Sequence, residues 1–237
     1  MFRLTCLATC FALPAFADEG FVEANIIGIF YHELGHAVID IEEVPIFGQE
    51  EDAADVFSIF MIDALFEEDS AIDLAYAASF GFLGEVEMRG YDVDEIAWWD
   101  THGPDEQRFY NTVCIFYGAD PDARADFAAD MGLPEDRADW CPEEYDQANG
   151  SWGVILDDML ARGGGTSIRY DGDDSLTGQI IAEEVTFLNE ELQFAAPLNV
   201  VVESCGEANA FYDPSTREVI MCLEFEDHLF EMAEILN

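Results

Sequence analysis

One short motif, Tyr31-His32-Glu33-Leu34-Gly35-His36, limits most strongly what this chain can become. It sits inside the mostly apolar stretch Phe21–Glu43, with Ile26, Ile27, Ile29 and Phe30 before the histidines and Ala37, Val38 and Ile39 around and after them. A helix that is apolar on most sides belongs in an interior, and two histidines buried there need a partner. Helical periodicity puts His32 and His36 on one face, one turn apart, where both can grip one ion. Glu33 follows the first of them and can reach a water held by that ion. Zinc lowers the pKa of such a water to about 7, and a neighbouring carboxylate can take its proton. The pattern therefore predicts His32 and His36 as metal ligands and Glu33 as the catalytic base. The plain alternative is a pair of surface histidines with a salt-bridging glutamate, and the apolar flanks argue against it.

An HExxH helix needs a third ligand. The positions where one subclass of zinc peptidases carries a glycine and a third histidine hold Ile39 and Glu42, so that subclass is excluded. The next acidic helix start is Gln49–Asp55, where Glu51 and Asp55 share a face at i, i+4. Glu51 is the expected third ligand. Asp55 is expected to orient a histidine through its second ring nitrogen. Glu50, Asp52 and Asp55 remain rivals for the ligand role. Asp40 lies one further turn along α-helical spacing from His36, too far along one straight helix to suit a tetrahedral ion. A hydrolase also needs a group to stabilise the developing oxyanion. His102 is assigned this catalytic role, with Arg108, Tyr110 and Tyr212 as further candidates; the plain reading of His102 is a solvent-exposed residue at a helix start.

Charge narrows the partners. Against 52 Asp and Glu stand 8 Lys and Arg, all of them Arg, for a formal net charge of −44. Nucleic acid and anionic membrane surfaces would be repelled, whereas a salty solvent would screen the self-repulsion. Residues 1–17 (MFRLTCLATCFALPAFA) carry one positive charge, a short apolar run and a small-x-small end, which reads as a signal peptide cut before Asp18. A lipoprotein signal ending at Cys10 is the rival. No later segment is apolar enough for a membrane helix, so a periplasmic or secreted chain without membrane insertion is expected. Four cysteines then remain, Cys114, Cys141, Cys205 and Cys222. Export favours disulfides, and local pairing gives Cys114–Cys141 and Cys205–Cys222.

The expected order is a helical part, 18–162, then a strand–helix–strand–strand–strand part, 166–237, in a single domain. Helices are expected over Phe21–Glu43, Glu50–Phe66, Ala71–Arg89, Pro104–Tyr117, Asp122–Met131 and Pro142–Leu160. Gly163–Gly165 then breaks the chain. Strands at Thr166–Tyr170 and Leu198–Glu203 flank a helix at Ser175–Leu192. A hairpin, Ala208–Tyr212 with Arg217–Phe225, and a closing helix at Asp227–Leu236 follow. A two-residue turn would put Cys222 opposite Glu207, so a Cys205–Cys222 link needs a bulge or a splayed base.

Four stretches, FYHELGHAVID, PIFGQEEDAADVFS, HGPDEQRFYNTVCIFYG and CGEANAFYDPSTREVIMC, resemble a family of exported bacterial metallopeptidases, a domain family of unknown function. The resemblance spans most of the chain after its leader. It implies a zinc-dependent hydrolase of peptide bonds acting on a peptide or protein, without naming a substrate. The fold class is then α+β: a mainly helical, zincin-like metallopeptidase with a small C-terminal β-sheet. In zincin-type peptidases the sheet usually precedes the HExxH helix, so the order here reads as a circular permutation that packs the C-terminal hairpin over that helix. The rival arrangement is a separate C-terminal binding domain. Two other functions compete with peptidase activity: a non-catalytic metal-binding envelope protein, and a zinc amidase acting on cell-wall crosslinks.

Overall fold

The computed structural model describes residues 15–90 and 93–237, so the expected leader, up to residue 14, lies outside the described residues. The apolar stretch around the histidines becomes α1 (Ala15–Ile41). Val22, Ile26, Phe30, Leu34, Ala37 and Val38 are fully buried on it. A helix apolar on most sides must be covered by several neighbours, and α1 has them. Packed against it are α2 (Glu50–Leu65), α3 (Glu68–Arg89), α9 (Leu176–Glu191) and α10 (Glu224–Leu236), together with strands β3 (Ala210–Asp213) and β4 (Glu218–Cys222). Between α3 and α9 the chain forms α4 (Asp105–Ala119), α5 (Ala125–Asp130), α6 (Glu135–Ala138), α7 (Cys141–Ala148) and α8 (Val154–Ala161).

The expected single helix over Pro142–Leu160 is interrupted. A wider turn, Asn149–Gly153, separates α7 from α8. Asn149-Gly150-Ser151 holds poor helix formers, and the Ser151 hydroxyl donates to the Ala148 carbonyl (3.0 Å). Trp152 in this turn packs on Phe57 with ring centroids 4.9 Å apart.

The sheet adds β1 (Ile168–Asp171) and β2 (Leu198–Glu203), in the order β1-β2-β4-β3. β1, β2 and β4 run parallel, and β3 pairs antiparallel with β4. In β2, Leu198, Val200 and Val202 are buried while their neighbours are less so, the period of a strand with one face on a core. β4 returns between β2 and β3, which makes β3 an edge strand. The hairpin register pairs Ala210 with Met221 and Asp213 with Glu218 around Pro214–Arg217. This four-residue turn replaces the expected two-residue one, so Cys222 lies opposite Asn209 rather than Glu207, its N–H donating to the Asn209 carbonyl (3.1 Å). Gly206, at φ 82°, turns the chain after Cys205. The Glu224 carboxylate accepts from the N–H groups of Cys205 (3.0 Å) and Gly206 (2.9 Å). This splayed base carries the disulfide Cys205–Cys222, and Cys114–Cys141 joins α4 to α7.

The whole forms a mainly helical α+β fold whose hydrophobic core includes residues of both the helical and the strand-bearing parts. No helix among the described residues is long and apolar enough to cross a membrane.

Candidate metal centre

The site is assembled at the contact of α1 with α2. Gly35 lies between the two histidines of the motif and explains how close that contact is. A Cβ there would stand 3.1 Å from the Ala54 Cα and 3.1 Å from the Phe57 ring. With glycine, the backbones approach and the first turn of α2 reaches the histidine face of α1. That turn carries Glu50, Glu51 and Asp52, acids favoured at a helix N-terminus.

Three donor atoms form a closed triangle. His32 Nε2 and His36 Nε2 are 3.3 Å apart, and Glu51 Oε2 lies 3.2 Å from the first and 3.1 Å from the second. The far nitrogens are also engaged. His32 Nδ1 lies 2.8 Å from Asp55 Oδ1, and His36 Nδ1 lies 2.9 Å from Glu50 Oε1. His36 Nδ1 is in hydrogen-bond geometry with Glu50, whereas His32 Nδ1 faces Asp55 at ion-pair distance without a well-directed hydrogen bond; both neighbours favour a proton on Nδ1. The Nε2 lone pairs then converge with a carboxylate oxygen, an arrangement only a cation makes favourable. Ligand atoms about 2.0–2.1 Å from a tetrahedral zinc are about 3.3 Å from one another, which fits the sides of this triangle. The donor set suits zinc, since imidazole and carboxylate are its common ligands. In the absence of metal, protons supply the positive charge: burial opposes charging of His32, but its contacts with the Asp55 and Glu51 carboxylates prevail and hold its pKa up to about 9. The hydrogen-bonding histidines, His102 first, hold the Glu51 carboxyl far below its ordinary range.

A second layer fixes this arrangement. Arg108 of α4 grips Asp55 with two nitrogens, both at 2.8 Å, and its guanidinium lies over the Phe82 ring. Arg108, a candidate for oxyanion binding from its position in the sequence, is thus committed to Asp55. Glu50, a rival for ligation, faces the outer nitrogen of His36. Asp40 lies away from the triangle and accepts a hydrogen bond from the Tyr212 hydroxyl (2.8 Å). His102, on the turn entering α4, has its Nε2 3.0 Å from Glu51 Oε2 and its ring stacked at 5.8 Å on that of His32. His228 is paired instead with Glu85 at 2.7 Å.

These groups line a cavity of about 950 Å³. Its floor is the face of α1 from Asn25 to Asp40, including Glu33. Burial raises the Glu33 pKa, against the lowering effect of the two motif histidines. Ala208–Tyr212, from the edge strand and the loop before it, form part of one wall, so the hairpin stands beside the HExxH helix as the permuted order requires. Tyr212 lines this cavity and Tyr110 does not.

Residues 17–156 and 174–235 match the sequence profile of a family described as "putative metallopeptidase". The chain belongs to this family. No curated protein and no solved structure matches it. Membership makes it a metallopeptidase in general terms, and the convergent His/Glu donors are where a metal ion would be held. Two parts of the site were not legible beforehand. The Arg108–Asp55 clamp spans 53 positions, and no local spacing announces it. The role of Glu50 beside His36 was hidden because Glu50 and Glu51 are adjacent acids of one helical turn.

Proposed function

We propose that this chain is an exported zinc peptidase that hydrolyses peptide bonds, with His32, His36 and Glu51 as ligands and Glu33 as general base. The observation that carries this reading is the lone-pair triangle with Glu33 buried beside it. A purely structural zinc site has four protein ligands and no use for an adjacent base. Zinc, when bound, polarises the scissile carbonyl and lowers the pKa of water to about 7. Glu33 would take a proton from the attacking water as the water oxygen bonds to the carbonyl carbon, and would give it to the nitrogen as the C–N bond breaks. Asp55, held by Arg108, keeps His32 in the tautomer that offers Nε2 inward, and Glu50 does the same for His36. His102 donates from Nε2 to the oxygen that gains negative charge.

Substrate is an extended peptide or protein segment. β3 is an edge strand beside the cavity, and an edge strand suits strand addition. The apolar leader and the two disulfides support a periplasmic or secreted location.

The test is metal analysis of the chain lacking residues 1–17, followed by digestion of a diverse peptide library. One bound zinc and cleavage abolished by chelation are expected. Glu33→Gln should retain zinc and lose about 100- to 10,000-fold in kcat, the usual weight of general-base catalysis. Undiminished cleavage by that variant would falsify the mechanism.

A further inference from the structure

We propose that His102 is an exchangeable ligand of this centre, bound to the ion at rest and released when a substrate or inhibitor group arrives. The proposal rests on the reading of the triangle as a metal site. Its first support is position. His32, Glu51 and His102 each offer one ligand atom, and the three atoms lie within 4.8 Å of one another. The His102 donor comes from the turn before α4, independently of the α1–α2 contact that places the other ligands.

The second support is a difference in anchoring. A metal-bound histidine is normally fixed by a partner on its other ring nitrogen. His32 and His36 have such partners at 2.8 and 2.9 Å. His102 Nδ1 lies 3.7 Å from Asp100, outside hydrogen-bond range. Asp100 holds the turn instead through the His102 backbone N–H (3.3 Å). The backbone is tethered and the ring is not.

The third support is exposure. The His102 side chain is 41% exposed, against 8% for His32 and 12% for His36. Rotating His102 away from the ion gives up its stacking on His32 and its approach to Glu51 but opens no part of the core, whereas moving either motif histidine would disrupt the core around α1. Four protein donors close a zinc site, and catalysis needs one position open. Of the four, His102 is the one whose departure costs least. Once released it still lines the cavity, which lets the same imidazole protect the resting centre and later contact a substrate oxygen.

Cadmium-113 NMR tests this, because scalar coupling to the metal counts each ligated imidazole. The mature chain loaded with cadmium should show three coupled rings, and His102→Ala and His102→Gln should each show two. Acetohydroxamate added to the wild-type protein should reduce three to two. Two rings in the unliganded wild type would remove His102 from the ligand set. Three rings persisting with bound hydroxamate would make it a fixed ligand and overturn the exchange. The readout is coordination, so it is separable from peptidase activity: three rings without cleavage sink only the peptidase reading, and two rings with full cleavage sink only this one. Failure to take up cadmium or zinc overturns both.

Discussion

Asp55 is shared between His32 and Arg108, so one carboxylate sets both the tautomer of a ligand and the resting place of a largely buried guanidinium. Asp55→Ala should weaken zinc binding about 10- to 100-fold. Leaving Arg108 with only the more distant Asp105 (3.8 Å) should also cost up to about 3–5 kcal/mol of stability. Competition titration with a zinc chelator and urea denaturation would measure the two effects, and an unchanged zinc affinity would refute the orienting role. The histidines give a second test through pH. In metal-free protein the contacts with the Asp55 and Glu51 carboxylates outweigh burial and raise the His32 pKa to about 9. A group that holds its proton more tightly when folded adds stability that is complete below its unfolded pKa, about 6.5, and disappears as pH rises through about 9. Chelator-treated protein should therefore lose on the order of 3 kcal/mol between these values. Zinc affinity should rise over the same interval as the proton ceases to compete. A flat metal-free stability curve would contradict this. At this scale local spacing was informative: i, i+4 relations placed His32 with His36 and Glu51 with Asp55. Residues that join the site across long stretches of chain, Arg108 above all, left no periodic trace.

Gly35 shows how an element contact depends on one missing methyl group. Gly35→Val would force α2 away from α1 and carry Glu51 and Asp55 with it. The expected result is at least a tenfold loss of zinc affinity, on the scale of a disturbed outer partner, in a protein whose far-ultraviolet circular dichroism stays helical. Unaltered affinity would show that α2 is not held by this contact. The two disulfides should differ in their consequences. Each closes a loop, with sequence separations of 27 and 17, and loss of either should cost about 3 kcal/mol by chain entropy. Replacing Cys205 and Cys222 by serine should also raise KM, because that link steadies the hairpin at the cavity wall. Replacing Cys114 and Cys141 should lower Tm with KM unchanged. Long periodic segments such as α1 and β2 were readable because burial dictates their pattern. The break at Asn149–Gly153 and the hairpin register were not. Weak helix formers mark the first as a soft spot, but its wider turn depends on Trp152 packing on Phe57, and the register depends on where Cys205 meets Cys222.

Among the described residues, six of the seven arginines sit beside an acid. Arg89, Arg108, Arg124, Arg137, Arg162 and Arg217 each lie within 4.0 Å of a carboxylate. A chain with a net charge of −44 therefore has little left to offset repulsion between its remaining acids. Raising salt from about 0.1 to 1 M shortens the screening length from about 10 to about 3 Å. It should raise Tm by several degrees in a thermal scan. A fall in Tm would mean that the arginine pairs outweigh the repulsion. The layout of the cavity also sets an order of events during synthesis. The side chains proposed to hold the metal come from residues 32–102, whereas the hairpin and α10 walls come from residues 208–232. At about 5–20 residues per second, those walls leave the ribosome roughly 5–25 s after His102. A growing chain therefore carries the proposed ion-binding residues before the residues that complete the groove have been made.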